Sequence, residues 1–349
     1  MNANPNKTSV VIASTRLSVR NVFLSFVLSA SLLASAARGQ SAAVPNTLPV
    51  NTVVATVKVG RIPQGVVVSP DSSSAYVANG LDSTVSVISA STHKVTQTLF
   101  AGSQPQELAI TSDGTKLYAS NHVSPGTVTL IDLANGGATQ TITGLSPYPL
   151  GVALSPDGKQ LWVADGGIDV IDTTSNQVVT HISVPGGASS VTFTPDGLKA
   201  YACTFSGSNV VSVIDTTSQS VTTTIKVGFH LGEVAVRGRI AYVTLGDNQV
   251  GTKVVAINTT TDAVIKTITV GAPGIIPGNR PAFLPGKPYL YVPESTPAAV
   301  TLINTAKKTL VGDSFTCSSG AYDVAIAPNG TQVYVTDEFA DTVTIATIK

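Results

Sequence analysis

The sequence is short of charge, of histidine and of sulfur, and each shortage excludes something. Only 11% of its 349 residues are charged, and 20 basic residues balance 20 acidic ones. Nucleic-acid binders carry a basic excess, so that class is excluded, and 43% hydrophobic residues are too many for a disordered chain. The four histidines, His93, His122, His181 and His230, form no pair with metal-ligand spacing and are too few for a multi-histidine copper cluster. No Cys-x-x-Cys-His run is present to attach haem, no Gly-x-Ser-x-Gly elbow to present a nucleophile, and no glycine-rich loop to cradle phosphate. One Met, one Trp and no long helical period leave a chain dominated by Val, Thr, Ser and Gly, which reads as all-β.

The N-terminus differs from the rest. Lys7, Arg16 and Arg20 precede an apolar run, Val22–Ala36, that ends in the small residues Ala34-Ser35-Ala36. This is the layout of an export signal over residues 1–39, and the run is short for a membrane span of about 20 residues. A linker over 40–50 follows. The expectation is therefore an exported protein, periplasmic, secreted or at the cell surface, that does not span the membrane once the signal is removed. Cys203 and Cys317 are the only cysteines, and they fall in copies of the repeat that should lie far apart; two buried thiols are expected rather than a disulfide.

What the chain has in abundance is one unit, seen most clearly in Val152–Val184. A first apolar strand stops at Pro156-Asp157-Gly158, where proline presets a type I turn, Asp caps it and Gly takes a left-handed position. A second strand, Leu161–Ala164, turns at Gly166-Gly167 into a third, Ile168–Ile171. After Asp172-Thr173-Thr174-Ser175-Asn176 comes a wetter fourth strand, Gln177–Val184. The aromatic of the second strand recurs at Tyr76, Tyr118, Trp162, Tyr201, Tyr242, Tyr291 and Tyr334, at spacings of 39 to 49 residues. Four strands per copy at that period predict a β-propeller. The chain ends on the third strand of copy seven, whereas Thr52–Gly60 matches a fourth strand. Residues 51–349 are thus expected to form seven four-stranded antiparallel blades, with the N-terminal strand completing the last and closing the ring.

The second strands carry YVAN at Tyr76–Asn79, WVAD at Trp162–Asp165, YVTL at Tyr242–Leu245 and YVTD at Tyr334–Asp337, each ahead of a Val-Ser-Val-Ile-Asp-like run. These resemble the YVTN family of β-propeller repeats over about residues 51–349. That family includes archaeal surface-layer proteins and exported YncE-like propellers; related propellers include lactonases and the haem d1 domain of nitrite reductase. The resemblance implies an exported propeller and leaves its activity open.

Antiparallel order separates two faces. The turns between first and second strands, and between third and fourth, repeat faithfully and read as scaffold. The crossings between blades and the loops between second and third strands share the other face, where binding is expected. The longest of these are Leu245–Lys253 and Gly271–Pro281. The residue entering each first strand should sit near the axis: Gly65, Glu107, Gly151, Ser190, Glu233, Arg280 and Asp323. Glu107, Ser190, Glu233, Asn279, Arg280 and Asp323 are the candidate ligand-binding residues, with His122 and His230 as secondary candidates on the same face. Such oxygen ligands suit a divalent cation at the channel mouth, or simply pair with Arg280; no other cofactor is expected and the identity of any metal stays open. With no catalytic constellation in view, the leading expectation is a non-catalytic binding scaffold for an unknown protein or small polar ligand. The alternative is a periplasmic propeller enzyme, lactonase-like or a quinone- or haem-linked oxidoreductase.

Overall fold

The computed structural model describes residues 48–204, 209–228, 230–246, 251–271, 276–277 and 280–349. The expected export signal (1–39), the linker up to residue 47, Asn279 and parts of the two long loops lie outside them. Twenty-nine strands form seven sheets, and no helix occurs among the described residues. Blade three shows the pattern: Val152–Leu154, Gln160–Ala164, Ile168–Asp172 and Gln177–Ile182 pair antiparallel in that order. In the last blade Asn51–Lys58 pairs with Thr342–Ile348, outside Gln332–Asp337 and Ala321–Ile326, so the ring closes as the sequence requires. This removes the open edge that a chain of sheets would expose. Blade six is the irregular one. Its innermost strand is broken into Ile276–Pro277 and Ala282–Phe283, both pairing with Tyr289–Thr296.

The core is not one mass but seven, one at each seam between neighbouring blades. The cluster around Trp162 contains Ile168 and Val170 of blade three with Val191, Ala200 and Ala202 of blade four. Another joins Tyr334 and Ile345 of blade seven to Val66, Val77 and Ile88 of blade one. Second and third strands are apolar on both faces because each is packed from two sides, whereas fourth strands such as Lys94–Phe100 are almost wholly exposed. The recurring aromatic fills the seam: Tyr118, Trp162, Tyr201, Tyr242, Tyr291 and Tyr334 are fully buried, and Trp162 meets Phe193 of the next blade edge-on at 4.8 Å.

The turns use the chemistry that their residues imply. At Ser155–Gln160 the Asp157 carboxylate accepts from the Ser155 hydroxyl and the Lys159 amide, and Ser155 Oγ accepts from the Gln160 amide. Thr111/Asp113 and Thr194/Asp196 repeat the arrangement. Gly114, Gly158 and Gly197 follow with φ near +70°, which a side chain would strain. Both cysteines are free, Cys203 buried and Cys317 half-buried, so only the first is the buried thiol that the sequence suggested.

Candidate functional site

The axial residues are turned inward by a repeated irregularity. In blades one, two, five and seven the register slips at the start of the first strand, between Pro63/Val66, Pro105/Leu108, Leu231/Val234 and Ala321/Val324. The expected axial residue lies inside this bulge rather than ahead of the strand. In three blades the bulge is pinned by the third residue of the Tyr-Val-Thr-Asn motif. The backbone N–H of Glu107 donates to Ser120 Oγ at 3.1 Å, that of Glu233 to Thr244 Oγ1 at 3.1 Å and that of Asp323 to Thr336 Oγ1 at 3.0 Å. The motif hydroxyl thus fixes the backbone that presents an acid to the channel.

Four of the candidates meet there. Arg280, from blade six, reaches across the channel: Nη2 lies 2.9 Å from Glu107 Oε1 in blade two, and Nε donates to Glu233 Oε2 in blade five at 2.9 Å. Asp323 joins from blade seven, its oxygens accepting the Val66 and Val324 amides at 2.8 Å. The three acids are 3%, 4% and 0% exposed for Glu107, Glu233 and Asp323, so this is a buried charge cluster rather than a solvated rim. Burial pushes the Glu107 carboxyl well above the ordinary range; Arg280 opposes that, and Glu233 and Asp323 add to it. Burial likewise pushes Asp323 up to about 7, with Arg280 opposing and Glu233 reinforcing. For Arg280 burial works against the charge, but Glu107, Glu233 and Asp323 outweigh it and hold the guanidinium protonated.

Glu107 and Glu233 also line a cavity of about 210 Å³, together with Gln106, Leu150, Gly151, Ser189, Leu231 and Tyr322. Ser190 is buried beside it, cross-strand from Cys203, and Ser189 lines the cavity in its place. Tyr322, not picked out from the sequence, is its tyrosine; the signal was its place beside Asp323 in the bulge. Gly65 and Gly151 are glycines because space is lacking: a Cβ at Gly65 would stand 2.7 Å from Glu107 Oε1, and one at Gly151 2.7 Å from Ser190 Cα.

The two secondary candidates go elsewhere. His230 is exposed in a left-handed turn (φ 46°), the position that Ile62 and Gln104 hold in other crossings, and takes no part in the cavity. His122 lines a separate cavity of about 430 Å³ between blades two, three and four, with Tyr148, Leu150, Asp165, Gly187 and Ala188. Its ring meets that of Tyr148 at a tilt of 48°, with centroids 5.2 Å apart, and its Nδ1 is buried without a hydrogen bond. His181, read as an outer-strand residue, contacts Asp169 Oδ1 through Nδ1 at 2.7 Å. Burial and the neighbouring Asp169 push the Asp165 carboxyl up to about 9. The turn face is also less uniform than its repeats suggest. Where copy five shortens its turn to Arg237-Gly238, a cavity of about 480 Å³ opens toward blade six, and Arg237 covers the Phe283 ring at 4.8 Å.

Comparison with known proteins agrees with the fold. The family described as YNCE-like beta-propeller matches residues 42–349. A seven-bladed beta-propeller protein of Mycobacterium tuberculosis is 32% identical over 148 residues, 40% of this chain and 37% of that protein, so the match spans little more than a third of the relative. Among solved structures, a chain of Kuenenia stuttgartiensis hydrazine synthase superposes with a TM-score of 0.73 at 24% identity, covering 81% of this chain and 95% of that one. At that identity the likeness is one of fold alone.

Proposed function

Because the chain belongs to the YncE-like β-propeller family, we propose that it is an exported binding protein, a non-catalytic scaffold that takes a small polar ligand or a partner's side chain at the channel end. The observation that supports this is the buried Glu107–Arg280–Glu233 cluster, with Asp323 beside it, whose Glu107 and Glu233 line the 210 Å³ cavity. Arg280 is neutralised by two carboxylates, so it does not offer an anion site. The cavity lining offers the Glu107 and Glu233 carboxyls together with the polar groups of Gln106 and Tyr322. Amide, hydroxyl and ammonium groups match such a surface and a phosphate does not. Export rests on Lys7, Arg16, Arg20 and the apolar run Val22–Ala36. Among the described residues no helix is long and apolar enough to cross a membrane.

The second reading, an enzyme of lactonase-like or redox type, draws on Asp323. A carboxyl with pKa about 7 gives and takes protons near neutrality. A thermal-shift screen with amines, amino sugars and neutral oligosaccharides tests the first reading. A ligand is expected to raise the melting temperature of the natural protein and to lose that effect in Gln106→Trp, which fills the cavity. A shift that survives in Gln106→Trp, or none with any compound, removes the mouth as the binding site. Turnover of a lactone or a redox dye, abolished by Asp323→Asn, replaces the scaffold with the enzyme.

A further inference from the structure

Blade three departs from its siblings at one buried position. The fourth residue of the Tyr-Val-Thr-Asn motif anchors the second strand onto hydroxyls of the third. Asn79 Nδ2 donates to Thr84 and Ser86 at 3.0 and 2.9 Å, and Asn121 Nδ2 to Thr127 and Thr129 at 3.1 and 2.8 Å. In blade seven Asp337 Oδ2 accepts from Thr342 and Thr344 at 2.9 and 2.7 Å. Blade three has Asp165 in this place and a second acid, Asp169, where the siblings have Ser86, Thr129 or Thr344. Asp165 is 6% exposed, and neither of its oxygens has a hydrogen-bond partner. Two acids buried side by side must share a proton or take up a positive charge. Arg280 supplies one at the channel mouth, but no Lys or Arg pairs with Asp165 or Asp169 among the described residues.

One ligand atom each from Asp165, Asp169 and His181 lie within 4.8 Å of one another. His181 is seated by a glycine: a Cβ at Gly167 would fall 2.6 Å from the imidazole Cε1. Asp169 is oriented by the Ser146 amide, which donates to Oδ2 at 2.7 Å. We propose that blade three binds a divalent first-row transition-metal ion of the zinc type through Asp165, Asp169 and His181.

Mixed imidazole and carboxylate ligands favour zinc-like ions over magnesium or calcium, which take oxygen alone. In a tetrahedral site, atoms about 2.0–2.2 Å from one ion stand roughly 3.3–3.6 Å apart, so loading draws the widest pair of the cluster together by about an ångström and opens the 2.7 Å contact between His181 Nδ1 and Asp169 Oδ1. Three protein ligands leave a fourth position, as in zinc sites that bind a further ligand. Asp165 also lines the 430 Å³ cavity that holds His122 and Tyr148, so an exogenous ligand has room beside the ion. This site is independent of the channel cavity and of the function proposed for it.

Equilibrium dialysis of the untagged, chelator-treated protein against Zn2+ tests the proposal, with Co2+ absorption as a second readout. One Zn2+ per chain, a higher melting temperature with zinc and a visible cobalt band are expected. Asp165→Asn restores the sibling pattern of an amide facing an acceptor. It should melt no lower than the natural protein in chelator, yet bind Zn2+ more than about tenfold more weakly and lose the cobalt band. His181→Gln should weaken zinc in the same way. Absence of stoichiometric zinc in the natural protein, or unchanged binding by Asp165→Asn and His181→Gln, overturns the assignment.

Discussion

The two faces of the propeller use the same carboxylates in opposite ways. On the turn face Asp71, Asp157 and Asp196 sit in water. Hydroxyl and amide donors within their own turns hold their pKa values below the ordinary range. At the channel end Glu107 and Asp323 are buried, and their pKa values are raised. The first set repeats because each blade must solve the same turn. The second does not, because the seven axial positions form one site, and repeating an acid there would bury seven like charges. Repetition marks what the fold needs; its interruption marks what the fold has been made to carry.

The comparison breaks most visibly at Arg280. Replacing Arg280 with Met leaves Glu107 and Glu233 without their cation, and losing one partner of a buried pair costs about 3–5 kcal/mol. The loss should depend on pH. A carboxyl whose folded pKa lies above its unfolded value contributes stability that is full below the unfolded pKa and lost as pH rises through the folded one. For Asp323 that window runs from the ordinary value of 3.8 to about 7. Arg280→Met should therefore be most damaged above pH 7 and approach the natural protein toward pH 5, where Asp323 is protonated. Urea titrations at pH 5 and pH 8 measure this; an equal loss at both would mean that the cluster acts by shape rather than charge. The turn acids behave oppositely, contributing stability above their unfolded pKa that is lost as pH falls through their depressed folded values.

A smaller effect should come from the hydroxyl beneath the channel acid. Thr336 is fully buried, and its Oγ1 accepts the Asp323 amide. Thr336→Val keeps the shape and orphans that amide, a loss of about 1–3 kcal/mol. It should also weaken any ligand of the channel cavity, because the bulge that aims Asp323 loses its pin. A stability loss with ligand binding intact would separate the bulge from the site.

The ring, its seven blades and its closure were legible because they follow from period and pattern, which every copy restates. The axial positions were legible for the same reason: once the copies are aligned, Glu107, Glu233, Arg280 and Asp323 fall in one column. What the column could not give is reach. That the Arg280 side chain crosses the channel from blade six to blade two depends on bulge geometry and channel width, neither of which is written in spacing. Tyr322 was missed because a bulge turns two successive residues inward where a regular strand turns one. His181 was set aside as an outer-strand residue, although its cross-strand partner Asp169 lies on the same sheet. Four aligned residues within one blade, Asp165, Gly167, Asp169 and His181, were the available signal, and it lay in comparing the third strand with its siblings rather than in the spacing of histidines.

The weakest test lies on the turn face. Asp157 accepts from Ser155 and from the Lys159 amide, but water reaches the same groups, so Asp157→Ala should cost no more than about 1 kcal/mol. The sign of its pH dependence is the informative part. Because the Asp157 pKa is depressed, chiefly by the Ser155 hydroxyl, the difference between variant and natural protein should be full at pH 7, begin to fade near pH 4 and be lost as pH falls through the depressed folded value. Arg280→Met fades over the window from neutrality to about pH 5, well above the range in which Asp157→Ala does. If both variants instead lost their effect over the same pH range, the division between exposed, donor-satisfied carboxylates and buried, cation-satisfied ones would fail. The channel cluster would then be no more than another set of capped turns.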